Sequence, residues 1–178
     1  MGRYLVDKEK VHTAKNRLIK FSIYFFLILI ALQIITHLSF ISEPITYFTT
    51  FITGSILKIF FPDITVKGFH IMSKSGLDME IIYECTGIYG IIVYSSAILS
   101  TWFPAYEKLK GITIGVPIIY IANILRLVLL FVVSLIYPPA FEFLHTYFWQ
   151  LFLIIVVVLL FYFWFRSNLV KSKVIRDE

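Results

Sequence analysis

Long apolar stretches constrain this chain more than any other feature of its sequence. Four of them approach the roughly 20 residues that a helix needs to cross a hydrocarbon core of about 30 Å. They lie at residues 21–40, 88–103, 112–137 and 147–165. The chain is also 59% hydrophobic, above the roughly 45–50% apolar content of soluble domains. We therefore predict an integral membrane protein, with residues 1–178 forming a single membrane domain.

The distribution of the 16 Lys and Arg residues predicts the topology. Six precede the first apolar stretch, two lie in AYEKLK at residues 105–110, and four follow the last stretch. The positive-inside rule places these groups in the cytoplasm, which gives four spans with both termini inside. Segments 1–20 and 166–178 are then a cytoplasmic basic lead-in and tail. Because the net charge of +5 comes from residues beside the spans, we predict no nucleic-acid partner.

Residues 44–61, PITYFTTFITGSILKIFF, could be counted as a further span. Helical spacing places large apolar side chains on one face and Thr46, Thr50 and Thr53 on another, a pattern typical of an interfacial amphipathic helix. A crossing here would also move the later basic segments outside, against the charge rule. We predict a helix in or just under the outer interface, with a shallow re-entrant segment as the alternative.

Residues 62–84 change to the alternating pattern of a β-strand. The segments DITVKGFHIM and LDMEIIYE flank the turn sequence SKSG, and in the second segment apolar side chains alternate with Asp78, Glu80, Ile82 and Glu84, which favours an outer β-hairpin lying over the membrane face. The predicted fold class is therefore mainly α: a polytopic membrane helical bundle of about four spans, with an outer interfacial or re-entrant helix and a small extracytoplasmic β-hairpin.

Cys85 is the only cysteine and lies where this strand pattern gives way to the second apolar stretch. A single cysteine excludes an internal disulfide and a thiolate-rich metal cluster, and we expect neither a metal nor a cofactor. The N-terminus of a helix favours a thiolate. Gly87 and Gly90 leave one side of the first turn bare, which allows a helix or an extended substrate to approach. The alternative is a small apolar side chain that fills a packing gap.

Arg126 lies within the third apolar stretch, in YIANILRLVLLF. An intramembrane arginine costs about 2.5–3.5 kcal/mol even on lenient insertion scales, so it requires a partner. Asn123 is one helical turn away and could hold the guanidinium. The alternative is a structural ion pair with Glu84 or Glu142.

His145 begins the last apolar stretch, and Glu142 precedes it by three residues on the same predicted helix face. From there a carboxylate could fix the imidazole tautomer. The other histidines, including His37, are interpreted as interfacial fillers. Cys85, Arg126 and His145 lie on three separate predicted spans, all toward the outer leaflet. A thiolate, a fixed cation and an imidazole are the components of cysteine acyl transfer.

These residues resemble the exosortase/archaeosortase family of prokaryotic multi-pass membrane transpeptidases. The resemblance is carried by ECTG at Cys85, NILR at residues 123–126 and His145 at the head of a later span, and it extends from about Gly68 to Trp149. It implies that Cys85 is the nucleophile and that Arg126 and His145 assist it. The supporting or substrate-binding candidates are Glu84, Thr86, Gly87, Asn123 and Glu142.

The resemblance also implies an activity. Family members cut proteins that carry a C-terminal signal of a short motif, a transmembrane helix and a basic tail, and they pass the new carboxyl end to a membrane-anchored acceptor. The implied function is a membrane-embedded cysteine protease and transpeptidase, in a prokaryotic cell membrane, with its active site toward the extracytoplasmic face. Its implied partners are such a substrate, the lipid bilayer and a lipid or glycan acceptor. This chain has fewer spans than the longer members.

Two alternatives belong to other functional classes. The chain could be a substrate-binding membrane subunit of a transporter, in which Arg126 and Asn123 bind an anionic solute. It could also be a non-catalytic assembly factor, in which the three polar residues stabilise helix packing.

Overall fold

Long apolar helices dominate the structure. The computed structural model describes the backbone of residues 2–177 and the side chains of residues 15–172. In that part, three helices are long and apolar enough to cross a membrane: Lys15–Thr36, Ala105–Ile136 and Pro138–Ser172. A further apolar helix, Ile88–Leu99, has only 12 residues, or about 18 Å at 1.5 Å per residue. The predicted polytopic helical architecture is confirmed, with one predicted span shorter as a helix than the sequence suggested.

The chain forms five longer helices, with a small sheet between the second and the third. The helices are α1 (Gly2–Thr36), α2 (Ser39–Phe60), α3 (Ile88–Leu99), α4 (Ala105–Ile136) and α5 (Trp149–Asp177). The strands are β1 (Thr65–Lys67), β2 (His70–Met72) and β3 (Asp78–Glu80), and a 3₁₀ turn, Tyr83–Thr86, leads into α3. Three short helical pieces, Pro138–Ala140, Phe141–Phe143 and the π-helical Leu144–Phe148, connect α4 to α5.

The predicted hairpin is a three-stranded antiparallel sheet in the order β1-β2-β3. Its central residue Ile71 pairs with Val66 on one side and with Met79 on the other. The SKSG turn lies between β2 and β3, as predicted. The segment before SKSG, predicted as one strand, is divided into β1 and β2 at Gly68, whose φ of 60° permits a tight turn that other residues rarely adopt. Strand β3 also ends at Glu80, earlier than the predicted limit at residue 84.

Helix α2 buries its threonine face and exposes its apolar face. Thr46, Thr49 and Thr50 are buried, and each hydroxyl donates to the carbonyl four residues earlier at 2.8 Å. Phe48 and Ile59, on the apolar side, are 56% and 76% exposed. Small side chains are favoured where membrane helices meet, since the surroundings are as apolar as the protein interior. The orientation of α2 therefore suits a segment whose outer face contacts lipid.

Helix α3 lies in the middle of the bundle and packs against α1, α4 and α5. Its contact with α4 is close because a Cβ atom at Gly115 would overlap the Tyr94 ring. The Tyr94 hydroxyl donates to the Gly111 carbonyl at 3.0 Å. Glycines thus allow the two backbones to approach, as is typical of membrane helix interfaces.

An apolar cluster joins the sheet to the helices and positions the 3₁₀ turn. It contains Leu57 of α2, Ile71 and Met79 of the sheet, and Phe131 of α4. Cys85 belongs to the same cluster. The sheet is therefore held against α2 and α4, and this arrangement places the 3₁₀ turn beside the middle of α4.

We expect Gly115→Ala to destabilise the helical bundle. The added methyl group would overlap the buried Tyr94 ring, and overpacking of this kind typically costs about 1–3 kcal/mol. Gly90→Ala is the matched control, because its Cβ atom would lie 3.4 Å from the Ile119 and Val157 side chains. Thermal unfolding of the purified variants in detergent measures the difference. Equal midpoints for Gly115→Ala and the wild type would contradict the close α3–α4 contact.

Candidate functional site

Cys85, Arg126 and His145 line one cavity of about 450 Å³. The 3₁₀ turn and α3 form one wall, α4 contributes Arg126, and α5 with the π-helical turn before it forms the opposite wall. The lower part of the cavity is apolar and is lined by Val93, Leu153, Ile154, Val157 and Val158. The structure therefore brings together the three residues that sequence analysis placed on separate spans.

The backbone around Cys85 is held from two sides. Its N–H donates to the Ile82 carbonyl at 2.9 Å, which closes the 3₁₀ turn. Its carbonyl accepts a hydrogen bond from Asn123 Nδ2 at 2.8 Å. Thr86 supports the same turn, since its hydroxyl donates to the Tyr83 carbonyl at 2.7 Å. Thr86 is buried and is not among the residues that line the cavity, so its described contact is with the turn.

Burial raises the pKa of the Cys85 thiol above its ordinary value, while the Arg126 charge opposes this rise. The thiol is only 6% exposed, and desolvation disfavours its charged form. The sequence had suggested that a helix N-terminus would favour the thiolate. Helix α3, however, begins at Ile88, so Cys85 precedes its first turn and the cost of burial is the larger effect.

Arg126 directs its charge toward Cys85. Arg126 as a residue is 5% exposed, and its charge favours the ionised form of the Cys85 thiol beside it. Among the side chains that the structure describes, Arg126 forms no salt bridge with Glu84, Glu142 or any other carboxylate. Its Nε atom is buried without a hydrogen-bond partner. The ion pair that sequence analysis offered as an alternative is therefore absent from the described residues.

Asn123 has a different partner from the one that the sequence suggested. It is fully buried and bonds the Cys85 carbonyl, whereas we had expected it to hold Arg126. Gly87 permits this contact: its φ is 78°, and a Cβ atom there would lie 2.8 Å from Asn123 Cγ. The bare side of Gly87 is thus filled by Asn123 and that of Gly90 by Ile119 and Val157. Both glycines bring α3 close to helices of this chain.

His145 lies half-buried in the π-helical turn Leu144–Phe148. Its ring stacks on Phe141 with centroids 5.4 Å apart, and its Nδ1 atom is buried without a hydrogen-bond partner. Glu142 is exposed and forms no described hydrogen bond to the imidazole. A π-helical turn is wider than an α-helical one and is frequent at functional sites. The ring faces Phe141, four residues earlier, and the predicted Glu142–His145 bond is not formed.

Residues that sequence analysis missed lie at the rim of the cavity, beside the exposed Glu84. Tyr89 lines the cavity, and its hydroxyl lies 3.4 Å from His37 Nε2. The His37 ring also packs on Tyr83 at 4.8 Å between centroids. His37 had been interpreted as an interfacial filler; it is instead part of an aromatic group at the cavity entrance. The sequence signal that could have identified Tyr89 is its position about one helical turn after Cys85.

The cavity holds the groups that acyl transfer uses. A thiol can act as a nucleophile, an imidazole as acid and base, and a guanidinium as the group that stabilises an oxyanion. Among the described residues, no group of three or more His, Cys, Asp and Glu side chains could hold a metal ion. The arrangement can therefore support covalent catalysis with the side chains of this chain.

Comparison with known proteins identifies relatives. The family model described as Transmembrane exosortase (Exosortase_EpsH) matches residues 13–162, a segment that includes the whole cavity wall. Archaeosortase A of Haloferax volcanii is 38% identical over 50 residues. That match covers 28% of this chain and 16% of archaeosortase A. No solved structure matches.

We expect Cys85 to be alkylated slowly at neutral pH, at a rate that rises as the pH increases past the ordinary cysteine pKa of about 8.5. Its raised pKa and its burial both limit the thiolate. Because Arg126 lowers that pKa, Arg126→Gln should slow alkylation further and Arg126→Lys should slow it less. Since the chain has one cysteine, mass spectrometry after iodoacetamide treatment reports on this thiol alone.

The reference for this measurement is a thiol in the exposed turn of the sheet. Ser75→Cys in a Cys85→Ala background supplies it, because Ser75 is exposed. Labelling of Cys85 as fast as this reference at pH 7, or labelling unchanged by Arg126→Gln, would contradict the described environment.

Proposed function

Since the chain belongs to the transmembrane exosortase family, we propose that it is a membrane-embedded cysteine peptidase and transpeptidase. Its substrates are exported proteins with a C-terminal motif, a transmembrane helix and a basic tail. It cleaves at the motif and transfers the new carboxyl end to a membrane or cell-surface acceptor. In this proposal both termini are cytoplasmic and the cavity opens toward the extracytoplasmic face, as the basic segments favour.

One observation carries the proposal: the Arg126 charge is buried beside the only thiol of the chain, in the cavity that His145 also lines. A buried cation without a carboxylate partner is costly. That cost is offset when the cation stabilises a negative charge that forms during a reaction. A thiolate and a tetrahedral oxyanion are two such charges at this position.

The first half of the reaction forms a thioester. His145 accepts the Cys85 proton as the substrate enters, a step that the raised thiol pKa requires. The Cys85 sulfur then attacks the scissile carbonyl, and Arg126 stabilises the developing oxyanion. When the C–N bond breaks, His145 returns the proton to the leaving amine. The carbonyl carbon is now bonded to Cys85.

The second half regenerates the thiol. An acceptor amine or a water molecule attacks the thioester, and His145 takes its proton as a general base. The C–S bond breaks, and the Cys85 sulfur leaves as a thiolate that Arg126 stabilises before it is protonated again. Asn123 acts through the backbone, because its bond to the Cys85 carbonyl holds the nucleophile in the 3₁₀ turn.

The apolar lower part of the cavity is the proposed docking site for the substrate helix. Val93 of α3 and Ile154 and Val158 of α5 are 40%, 59% and 58% exposed. They lie below Cys85 on the two facing walls. A substrate helix seated there would bring its preceding motif to the thiol, while the rest of the extended motif would follow the three-stranded sheet.

The transporter alternative has less support. It requires Arg126 and Asn123 to bind an anionic solute together. The Asn123 amide nitrogen already donates to the Cys85 carbonyl, and the side chain is fully buried. A solute could reach the second amide hydrogen only if this packing opened.

We expect Cys85→Ala to abolish processing of a co-expressed substrate, because no other thiol in the chain can replace it. Mass spectrometry of the substrate's new C-terminus measures both cleavage and the group that is attached. Membrane levels of the variant are measured in parallel. Processing that continues in Cys85→Ala at normal rates would refute cysteine catalysis.

We expect graded losses at the two assisting residues. His145→Ala removes the acid and base, which typically contributes a factor of about 10²–10⁴. Arg126→Gln should cost about 10²–10³, as for loss of an oxyanion donor. Tyr147→Ala is the matched control, because Tyr147 lies in the same π-helical turn as His145 but is 67% exposed and does not line the cavity. Equal processing rates for His145→Ala and Tyr147→Ala would rule out the assigned role of His145.

A further inference from the structure

A second cavity, of about 340 Å³, lies at the opposite end of α3 from Cys85. It is formed by the first part of α1, the residues that end and follow α3, and the first turn of α4. Helix α3 is about 18 Å long, so the second cavity is distinct from the one that contains the thiol. Its lining includes Arg17, Lys20 and Lys108.

The lining of this second cavity carries three positive charges and no carboxylate. The nearest acidic neighbour in the sequence, Glu107, pairs with Lys171 at 3.2 Å. Arg17, Lys20 and Lys108 form no salt bridge with any carboxylate whose side chain the structure describes. The cavity therefore has an excess of positive charge, which favours an anionic ligand.

Two contacts orient these cations. The Arg17 guanidinium lies 5.6 Å from the centroid of the Trp102 ring, within the range of a cation–π interaction. Lys108 Nζ donates to the Leu99 carbonyl at 2.8 Å. That bond satisfies the C-terminal end of α3, whose dipole amounts to only about half a negative charge. The three full positive charges of the cavity outweigh this partial negative charge, so the C-terminal end of α3 does not prevent anion binding.

The rest of the cavity wall is apolar and follows α1 into its apolar stretch. Phe21, Tyr24 and Ile28 line it beyond the two cations of α1. Ile28 lies 11 residues after Arg17, a distance of about 16 Å along the helix. The cavity thus combines a cationic end with an apolar wall that leads toward the centre of a membrane span. An inorganic anion would contact only the cationic end, whereas an amphiphilic ligand would contact both the cationic end and the apolar wall.

We propose that this cavity binds an anionic phospholipid, with its phosphate between Arg17, Lys20 and Lys108 and its first acyl carbons along Phe21, Tyr24 and Ile28. Basic pockets between membrane helices are suited to phosphate headgroups. Trp102 and Tyr24 supply the amphipathic rings that favour the headgroup level. The lipid would fill the space between α1 and the α3–α4 connection, and it would hold α1 against the rest of the bundle.

The test uses the full chain in detergent and native mass spectrometry of bound lipid. Phosphatidylglycerol is compared with phosphatidylcholine of the same acyl chains. We expect preferential retention of phosphatidylglycerol, and a loss of about fivefold for each cation removed from the cavity. The double variant Arg17→Gln/Lys20→Gln therefore binds phosphatidylglycerol far more weakly, with phosphatidylcholine unchanged.

The matched control removes two cations at the same end of the bundle but outside the cavity. Lys15 and Lys110 are exposed, and neither lines the cavity, so Lys15→Gln/Lys110→Gln should retain the lipid within about twofold. An equal loss in both double variants would overturn the proposal in favour of diffuse surface charge. Equal retention of the two lipids by the wild type would overturn it as well.

A third variant tests the apolar part of the cavity without changing its charge. Ile28→Trp fills the wall beyond the cations and should reduce retention of phosphatidylglycerol, while leaving binding of inorganic phosphate unchanged. If Ile28→Trp has no effect, or if inorganic phosphate at equal concentration displaces the lipid completely, the cavity is a phosphate site and the lipid proposal fails. Thermal midpoints within a few degrees of the wild type verify that the variants are folded.

Discussion

The contact between the Arg126 guanidinium and the Cys85 thiol is the interaction on which the rest of the site depends. An arginine inside an apolar helix is tolerated only when its surroundings compensate for the lost hydration. No described carboxylate does so. The 3₁₀ turn must therefore be held against α4, and the bond from Asn123 to the Cys85 carbonyl, together with the absence of a side chain at Gly87, holds it there.

Helix α3 connects the two cavities. Its 12 residues are packed by α1, α4 and α5, and its first and last turns border the thiol cavity and the basic cavity, respectively. The close α3–α4 contact at Gly115 and Tyr94 lies between them. A movement of α3 would change both cavities at once, so tight packing in the middle of the bundle protects the geometry at each end.

Much of the site could be predicted from the sequence because membrane spans are long and regular. Span boundaries predicted that Cys85, Arg126 and His145 lie toward the same leaflet, and polar residues near one end of a small bundle can converge. The partners of these residues could not be predicted in the same way. Glu142 does not bond His145, although the two lie three residues apart, because the imidazole packs on Phe141 instead. His37 contacts Tyr89 from 52 residues away, and no helical spacing indicates that pairing.

The sequence by itself determined that this protein crosses a membrane and where its long apolar helices lie, because hydropathy and charge act through composition and position along the chain. It also singled out the three polar residues that share one cavity. The tertiary structure alone decided that the threonine face of α2 is the buried one, that the hairpin region folds as three strands, and that Asn123 bonds the Cys85 backbone. These outcomes depend on packing between distant segments, where shape and hydrogen-bond geometry select among partners that local pattern leaves equivalent.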